Sequence, residues 1–242
     1  MSTTDAPLDT EQPTIPMRSR LAAEAFGSGL LVMAVIGSGI MAAHLSPDDV
    51  GLQLFENAAA TAGALVALIM MFATVSGSHF NPAVTLVDRL RGNMTTRVAA
   101  LYVVAQILGG CAGAMLANLM FTDITGEGIV FLSTTERSAA PLLVSEVVAT
   151  FGLLAVIIGT SRFGKPYLVA VAVGVWIGGA YFFTSSTSFA NPQVTIARTL
   201  SDTFAGIEPA SAPAFVGMQI IGALLAFAAI PLLFPEREAT AK

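Results

Sequence analysis

Thr187-Ser188-Phe189-Ala190-Asn191-Pro192-Gln193-Val194-Thr195-Ile196 repeats a phrase that the chain has already spelled as Ser76-Gly77-Ser78-His79-Phe80-Asn81-Pro82-Ala83-Val84-Thr85-Leu86. Both copies carry Asn-Pro-x-Val-Thr followed by a branched apolar residue, and the two Asn residues lie 110 positions apart in a chain of 242. Pro fits the first turn of a helix, where its missing N–H has no partner to lose. Asn immediately before it suits the N-cap. Each copy therefore reads as a helix start behind a short polar loop. The helical runs that follow are brief and end in polar residues, Asp88-Arg89 in one case and Arg198 with Ser201-Asp202 in the other. Neither is long enough to cross a bilayer alone. A short helix that begins inside a membrane sets an Asn side chain and a positive dipole end near the midplane.

Composition says why a membrane is the right setting. Hydrophobic residues make up 55% of the chain and charged residues 11%, against roughly 25% charged in a soluble domain. Six apolar runs, at 21–43, 56–75, 97–120, 140–160, 167–185 and 213–234, each approach the ~20 residues that a spanning helix needs. The Asn-Pro phrases fall between the second and third runs and between the fifth and sixth. That makes three spans and one half-span, given twice. An odd number of spans per repeat inverts the second copy relative to the first. The expected fold is all-α, with six transmembrane helices and two re-entrant half-helices.

Several chemistries are excluded. The single Cys111 allows neither an intrachain disulfide nor a multi-Cys metal site, and the two His residues, His44 and His79, are too few for a His cluster. No metal or cofactor is expected. The net charge of −5 is spread thinly, with no basic block for nucleic acid. No Ser/His pair stands near a motif and no Gly-rich loop is placed to hold phosphate, so no enzyme is expected.

The doubled Asn-Pro-Ala-type box, with Ser-Gly-x-His-Phe ahead of its first copy, resembles the aquaporin or major intrinsic protein family. The resemblance covers about residues 18–235, as repeats of about 18–120 and 139–235. Residues 1–17 are polar, acidic and Pro-containing; they read as a disordered tail without the basic region of a cleaved signal. Residues 236–242 read as a second tail.

The resemblance implies a passive pore for water and small neutral solutes, with a homotetramer in the lipid bilayer. Asn81 and Asn191, with Pro82, Ala83, Pro192 and Gln193, form the two boxes, and the second departs from the family's Asn-Pro-Ala. Each Asn would offer an amide donor near the midplane, and two positive helix ends would oppose cations and break a proton-conducting water chain. The loops would present backbone carbonyls from Gly77, Ser78, His79, Thr187, Ser188 and Phe189. Irregular backbone at membrane depth is tolerated where it lines such a cavity. Glu24 and Glu146, near the starts of the first and fourth spans, would accept hydrogen bonds from loop N–H groups. For His79 a packed loop residue is favoured over a pH sensor.

Family spacing places the outer filter at Thr61, Gly179, Ser188 and Val194. Water-selective members generally carry an aromatic residue, His and Arg at the first, second and fourth of these positions, and glycerol facilitators carry aromatics and the same Arg. This chain lacks both the aromatic and the Arg, so the expected mouth is wide and poor in donors. The Val-for-Arg exchange is similar to that of a bacterial aquaporin subgroup linked to neutral metalloids such as arsenous acid.

Two readings stand for Arg198, four residues beyond Val194 and so on the same helix face. It supplies a relocated positive charge at the vestibule, or it snorkels to the interface or pairs with Asp202. An even number of spans puts both termini on one side of the membrane. Nine of the eleven Lys and Arg residues share that side, so both termini are expected in the cytoplasm, and the resemblance to the bacterial subgroup implies a bacterial inner membrane. Water-selective conduction is one alternative. The alternative from another class is an ion-coupled secondary transporter, since inverted repeats with broken helices serve both; a flux independent of ion gradients separates the two.

Overall fold

The computed structural model describes residues 15–235. Six long helices carry the chain across and back: α1 (Met17–Leu45), α2 (Val50–Phe72), α4 (Thr96–Met120), α6 (Ala140–Ser161), α7 (Pro166–Phe183) and α9 (Ala212–Leu233). Two short helices interrupt them, α3 (Pro82–Leu90) and α8 (Pro192–Ala197), with a 3-10 turn (Arg198–Leu200) continuing α8. A single turn, α5 (Thr122–Thr125), follows α4. The nine residues of α3 and six of α8 span roughly 14 and 9 Å at ~1.5 Å per residue, far short of a ~30 Å hydrocarbon core.

The observed helices follow the six apolar runs closely. The second departs most, since α2 begins at Val50, six residues before the expected start. α1 begins at Met17, which takes in the last residue assigned to the N-terminal tail. Arg20 at that end donates to the Tyr102 hydroxyl at 2.7 Å, so a cation near the helix start is accommodated. Residues 1–14, and the tail expected at 236–242, lie outside the described residues.

Packing repeats with the sequence. In the first half α1 lies against α4 and α2; in the second, α6 lies against α9 and α7. The α2–α7 contact joins the halves. Each half-helix touches the last long helix of both repeats, α3 on α4 and α9, and α8 on α9 and α4. Small residues allow this closeness. A Cβ added at Gly109 or Gly113 would run into the Ala25 and Gly29 carbonyls of α1, and one at Gly222 would lie 2.6 Å from the Val147 carbonyl of α6. Large apolar side chains that stay exposed, such as Phe26, Leu108, Val144, Val175 and Leu232, form the face a bilayer would cover.

A candidate pore lined by both repeats

The two half-helices start as the motif chemistry requires. Asn81 is extended (φ −156°) and its side-chain oxygen accepts from Ala83 N at 2.9 Å. Asn191 matches it (φ −158°), accepting from Gln193 N at 3.1 Å. Each Asn also reaches across the pseudo-symmetry axis. Asn81 Nδ2 donates to the Ala190 carbonyl and Asn191 Nδ2 to the Phe80 carbonyl, both at 2.8 Å. One amide hydrogen of each Asn is thereby spent on joining the repeats, which leaves the other for a solute.

The loops ahead of the Asn residues are conformationally expensive. Ser78, Phe80, Thr187, Ser188 and Ala190 all sit at φ between 46° and 62°, at a cost on the order of 1–3 kcal/mol each. The two buried carboxylates hold them. Glu24 accepts from His79 N at 3.0 Å, Phe80 N at 2.8 Å, the Ser76 hydroxyl at 2.6 Å and Gln106 Nε2 at 2.7 Å. Glu146 accepts from Phe189 N at 3.0 Å, Ala190 N at 2.9 Å and Gln219 Nε2 at 2.6 Å. Gln106 and Gln219 also donate to Thr85 and Thr195, whose hydroxyls return to the Asn81 and Asn191 carbonyls. Hydrogen bonds to a carboxylate are the strong kind, so these two networks are what keep the left-handed residues in place.

With their N–H groups turned toward Glu24 and Glu146, the loops leave carbonyls over. Among the described residues no protein donor takes the carbonyls of Gly77, Ser78, His79, Ser188 or Phe189. Those five residues line an elongated cavity of about 170 Å³. It runs from Asp88 and Arg91 at the end of α3, past Asn81 and Asn191, to Val194 in the first turn of α8 and Arg198 just beyond that helix. Thr187 is not part of the lining.

The expected filter residues are only partly together. Thr61, Ser188 and Val194 are buried and line the cavity. Gly179 does not: it is exposed, and a Cβ there would face Phe183. The wall of α7 is instead Val169, Val173, Ile177 and Tyr181, spaced by four residues. Tyr181 donates its hydroxyl to Thr61 Oγ1 at 3.2 Å. A count of positions back from Asn191 presumes a fixed loop length, whereas the i, i+4 stripe ending in a hydroxyl was a usable signal for Tyr181. The mouth is thus richer in polar groups than the four counted positions suggest.

Gln193 does not narrow the pore. It is fully buried, outside the cavity lining, and its Nε2 donates to the Phe80 carbonyl at 3.1 Å, beside Asn191. Gly110 on α4 makes the room; a Cβ there would collide with Gln193 Oε1. The departure from Asn-Pro-Ala therefore adds a second tie between the repeats.

Arg198 neither snorkels nor pairs with Asp202. The residue is 2% exposed and lines the cavity, and its Nε donates to the Ala205 carbonyl. The guanidinium carbon lies 3.4 Å from the Phe189 ring centroid, a cation–π contact. Asp202 is held elsewhere, by Thr134 N at 2.9 Å and the Ser133 and Thr134 hydroxyls. A second arginine, Arg137, joins the cluster: it donates to the Gly206 carbonyl at 2.9 Å and lies 5.1 Å from the same ring. Its partners are more than fifty positions away, so nothing local in the sequence marks it.

His79 lines the opposite end of the cavity. Its Nδ1 is 3.0 Å from the Thr85 hydroxyl, its Nε2 3.6 Å from Asp88, and its ring packs edge-on against Tyr102. It is thus packed within the loop while also forming part of the wall. No group of three His, Cys, Asp or Glu side chains able to hold a metal occurs among the described residues.

This arrangement has known counterparts. The family model described as Major intrinsic protein matches residues 11–183. The chain belongs to the major intrinsic protein family. As a family member it is a multi-pass membrane protein and a passive channel, not an enzyme. It is 47% identical over 219 residues to Aquaglyceroporin AqpS of Rhizobium meliloti, covering 90% of this chain and 91% of that one. It is 29% identical over 220 residues to Aquaporin Z of Rhodopseudomonas palustris, covering 87% and 86%. The X-ray structure of the aquaglyceroporin from Plasmodium falciparum superposes with a TM-score of 0.70 at 17% identity, covering 90% of this chain and 99% of that one. At that identity the likeness speaks for the fold of this major intrinsic protein and for nothing finer.

Proposed function

We propose that this channel passes water together with small uncharged polyhydroxylated solutes, namely glycerol-like polyols and neutral metalloid hydroxides such as arsenous acid. The observation that carries the reading is Val194 in the cavity wall, three residues after Asn191, where an apolar side chain leaves cross-section open. Around it Thr61, Tyr181 and Ser188 bring hydroxyls, and the loops bring free carbonyls, so a solute bearing several hydroxyls finds donors and acceptors along one wall and apolar side chains along the other. The aquaglyceroporin relative from Rhizobium meliloti supports the same class of solute.

Asn81 and Asn191 are the midplane donors in this reading, Glu24 and Glu146 hold the loops, and Arg198 supplies the vestibule charge. The channel works as a homotetramer in a bacterial inner membrane, as the family resemblance implies, and the Lys/Arg distribution favours cytoplasmic termini. Osmotic jumps on proteoliposomes test the solute reading. Fast swelling with glycerol, urea and arsenous acid, without an ion gradient, is the expected result. Water flux with all three solutes excluded would overturn it in favour of a water-selective pore, and solute flux that needs an ion gradient would favour a coupled transporter.

A further inference from the structure

We infer that the mouth at the α8 end holds a binding site for a small monovalent anion, with the Arg198 guanidinium as its ligand and Arg137 as a second cation behind it. The inference rests on the filter reading above, because it places Arg198 at the solute's entrance. Two arginines stand against one ring, Phe189, and their Nε groups donate to the adjacent carbonyls of Ala205 and Gly206. Neither has a carboxylate within 4.0 Å among the described residues. The acid nearest Arg198 in sequence, Asp202, is consumed by the 133–134 turn. Glu136, beside Arg137, accepts from the Ser138 hydroxyl, and Glu146 is spent on Phe189 N, Ala190 N and Gln219 Nε2. Carbonyl oxygens orient a guanidinium without neutralising it, and an unneutralised buried charge is costly.

The rest of the geometry says how an anion would be received. Arg198 lines the cavity, and its Nη1 and Nη2 donate to no protein acceptor among the described residues. Those two groups form the planar fork that takes a small planar anion such as nitrate through parallel hydrogen bonds. Ser188 stands on the same wall with its hydroxyl unpartnered, whereas its counterpart Ser78 spends its hydroxyl on the Ile69 carbonyl at 3.1 Å. The two mouths differ in charge: Asp88 and Arg91 put both signs at the α3 end, while the α8 end carries arginine alone. An occupied site would stand in the path of neutral solutes and slow their entry.

The test is glycerol flux in proteoliposomes of the full chain, in nitrate against gluconate at equal ionic strength, gluconate being the larger anion, with a six-carbon hydroxylated chain. The readout is the nitrate-to-gluconate flux ratio within each variant, so a change in a variant's basal flux drops out. A roughly two-fold or greater slowing in ~0.1 M nitrate is expected for wild type, as for a site at least half filled at that concentration. The slowing should disappear in Arg198→Gln and weaken in Arg198→Lys, which keeps the charge and loses the fork. Equal flux in both anions, or an effect undiminished in Arg198→Gln, would overturn the site. Anomalous scattering from bromide-soaked crystals gives a readout that needs no flux: a peak at Arg198 supports the site, and none there overturns it. Absence of glycerol flux in wild type would count against the solute reading, leaving the bromide result to decide the site.

Discussion

Asn81 donates its side-chain amide to the carbonyl of Ala190, 109 residues away, at 2.8 Å, and Asn191 returns the bond to Phe80. The residue that caps one half-helix therefore also fastens it to the other repeat, so the two functions fail together. Asn81→Ala should lose a cap, worth about 1 kcal/mol, and a buried inter-repeat hydrogen bond, worth about 1 kcal/mol more. The expected outcome is a lower melting temperature in detergent together with reduced water flux in proteoliposomes. A variant that melted like wild type would show that the crossed bonds do not hold the repeats.

Glu146→Gln tests the loop-holding carboxylate with almost no change of shape. Both carboxylate oxygens are occupied, one by Phe189 N and the other by Ala190 N and Gln219 Nε2. A Gln amide offers one oxygen and turns an NH₂ toward the remaining donors, so at least one buried N–H loses its acceptor, at about 1–3 kcal/mol. The positive-φ residues Thr187, Ser188 and Ala190 then have less to hold them. Flux should fall further than thermal stability does. Glu24→Gln should reproduce the pattern in the first repeat, and thermal melts beside stopped-flow swelling would check both.

The topology was legible because it rests on local chemistry. Asn before Pro announced two helix starts, apolar runs announced six spans, and an odd count per repeat announced the inversion. Glu24 and Glu146 were legible because a carboxylate inside a span needs partners. The part of the mouth that was not legible depends on where a helix ends and which way it faces. The wall position falls on Tyr181, two residues beyond Gly179, and the companion of Arg198 is Arg137 in the loop before α6. Gln193 had no readable role either, since its space is created by Gly110, on a helix 83 positions earlier in the chain.

Gly110 and Gln193 should behave as a coupled pair. Gly110→Ala drives a Cβ into Gln193 Oε1 and should cost roughly 1–3 kcal/mol as overpacking. Gln193→Ala, which restores the Asn-Pro-Ala spelling, loses the bond to the Phe80 carbonyl and should cost about 1 kcal/mol. In the double variant the collision is gone, so its destabilisation should fall below the sum of the two by on the order of 1 kcal/mol. A thermal-melt double-mutant cycle measures this directly, and additive costs would mean that Gly110 is not what makes room for Gln193.

Arg198→Ala removes the cation that lines the α8 mouth while Val194 stays in place. Sodium or potassium leak through proteoliposomes should rise roughly tenfold, equivalent to a barrier lowered by ~1.4 kcal/mol. Arg198→Lys should keep most of the rejection, since the charge persists. Leak is to be normalised to glycerol flux in each preparation. An unchanged ratio in Arg198→Ala would assign cation rejection to the midplane instead.

Tyr181 and Gly179 provide the sharpest contrast along α7. Tyr181 lines the cavity and gives its hydroxyl to Thr61 at 3.2 Å, while Gly179 lies outside the lining, on an exposed part of the helix. Tyr181→Phe keeps the ring, removes one hydroxyl from the mouth and leaves Thr61 Oγ1 without that donor. A hydroxyl contact worth about 0.5–1.5 kcal/mol corresponds to a two- to tenfold shift in the permeability of glycerol relative to water. Gly179→Ala adds a methyl group that meets only the edge of the Phe183 ring, at 3.5 Å, so the same ratio should stay at its wild-type value. Paired swelling measurements with and without glycerol as the driving solute give both ratios. If Gly179→Ala moved the ratio and Tyr181→Phe did not, the filter would lie where the family spacing puts it, and the orientation of α7 described above would be incorrect.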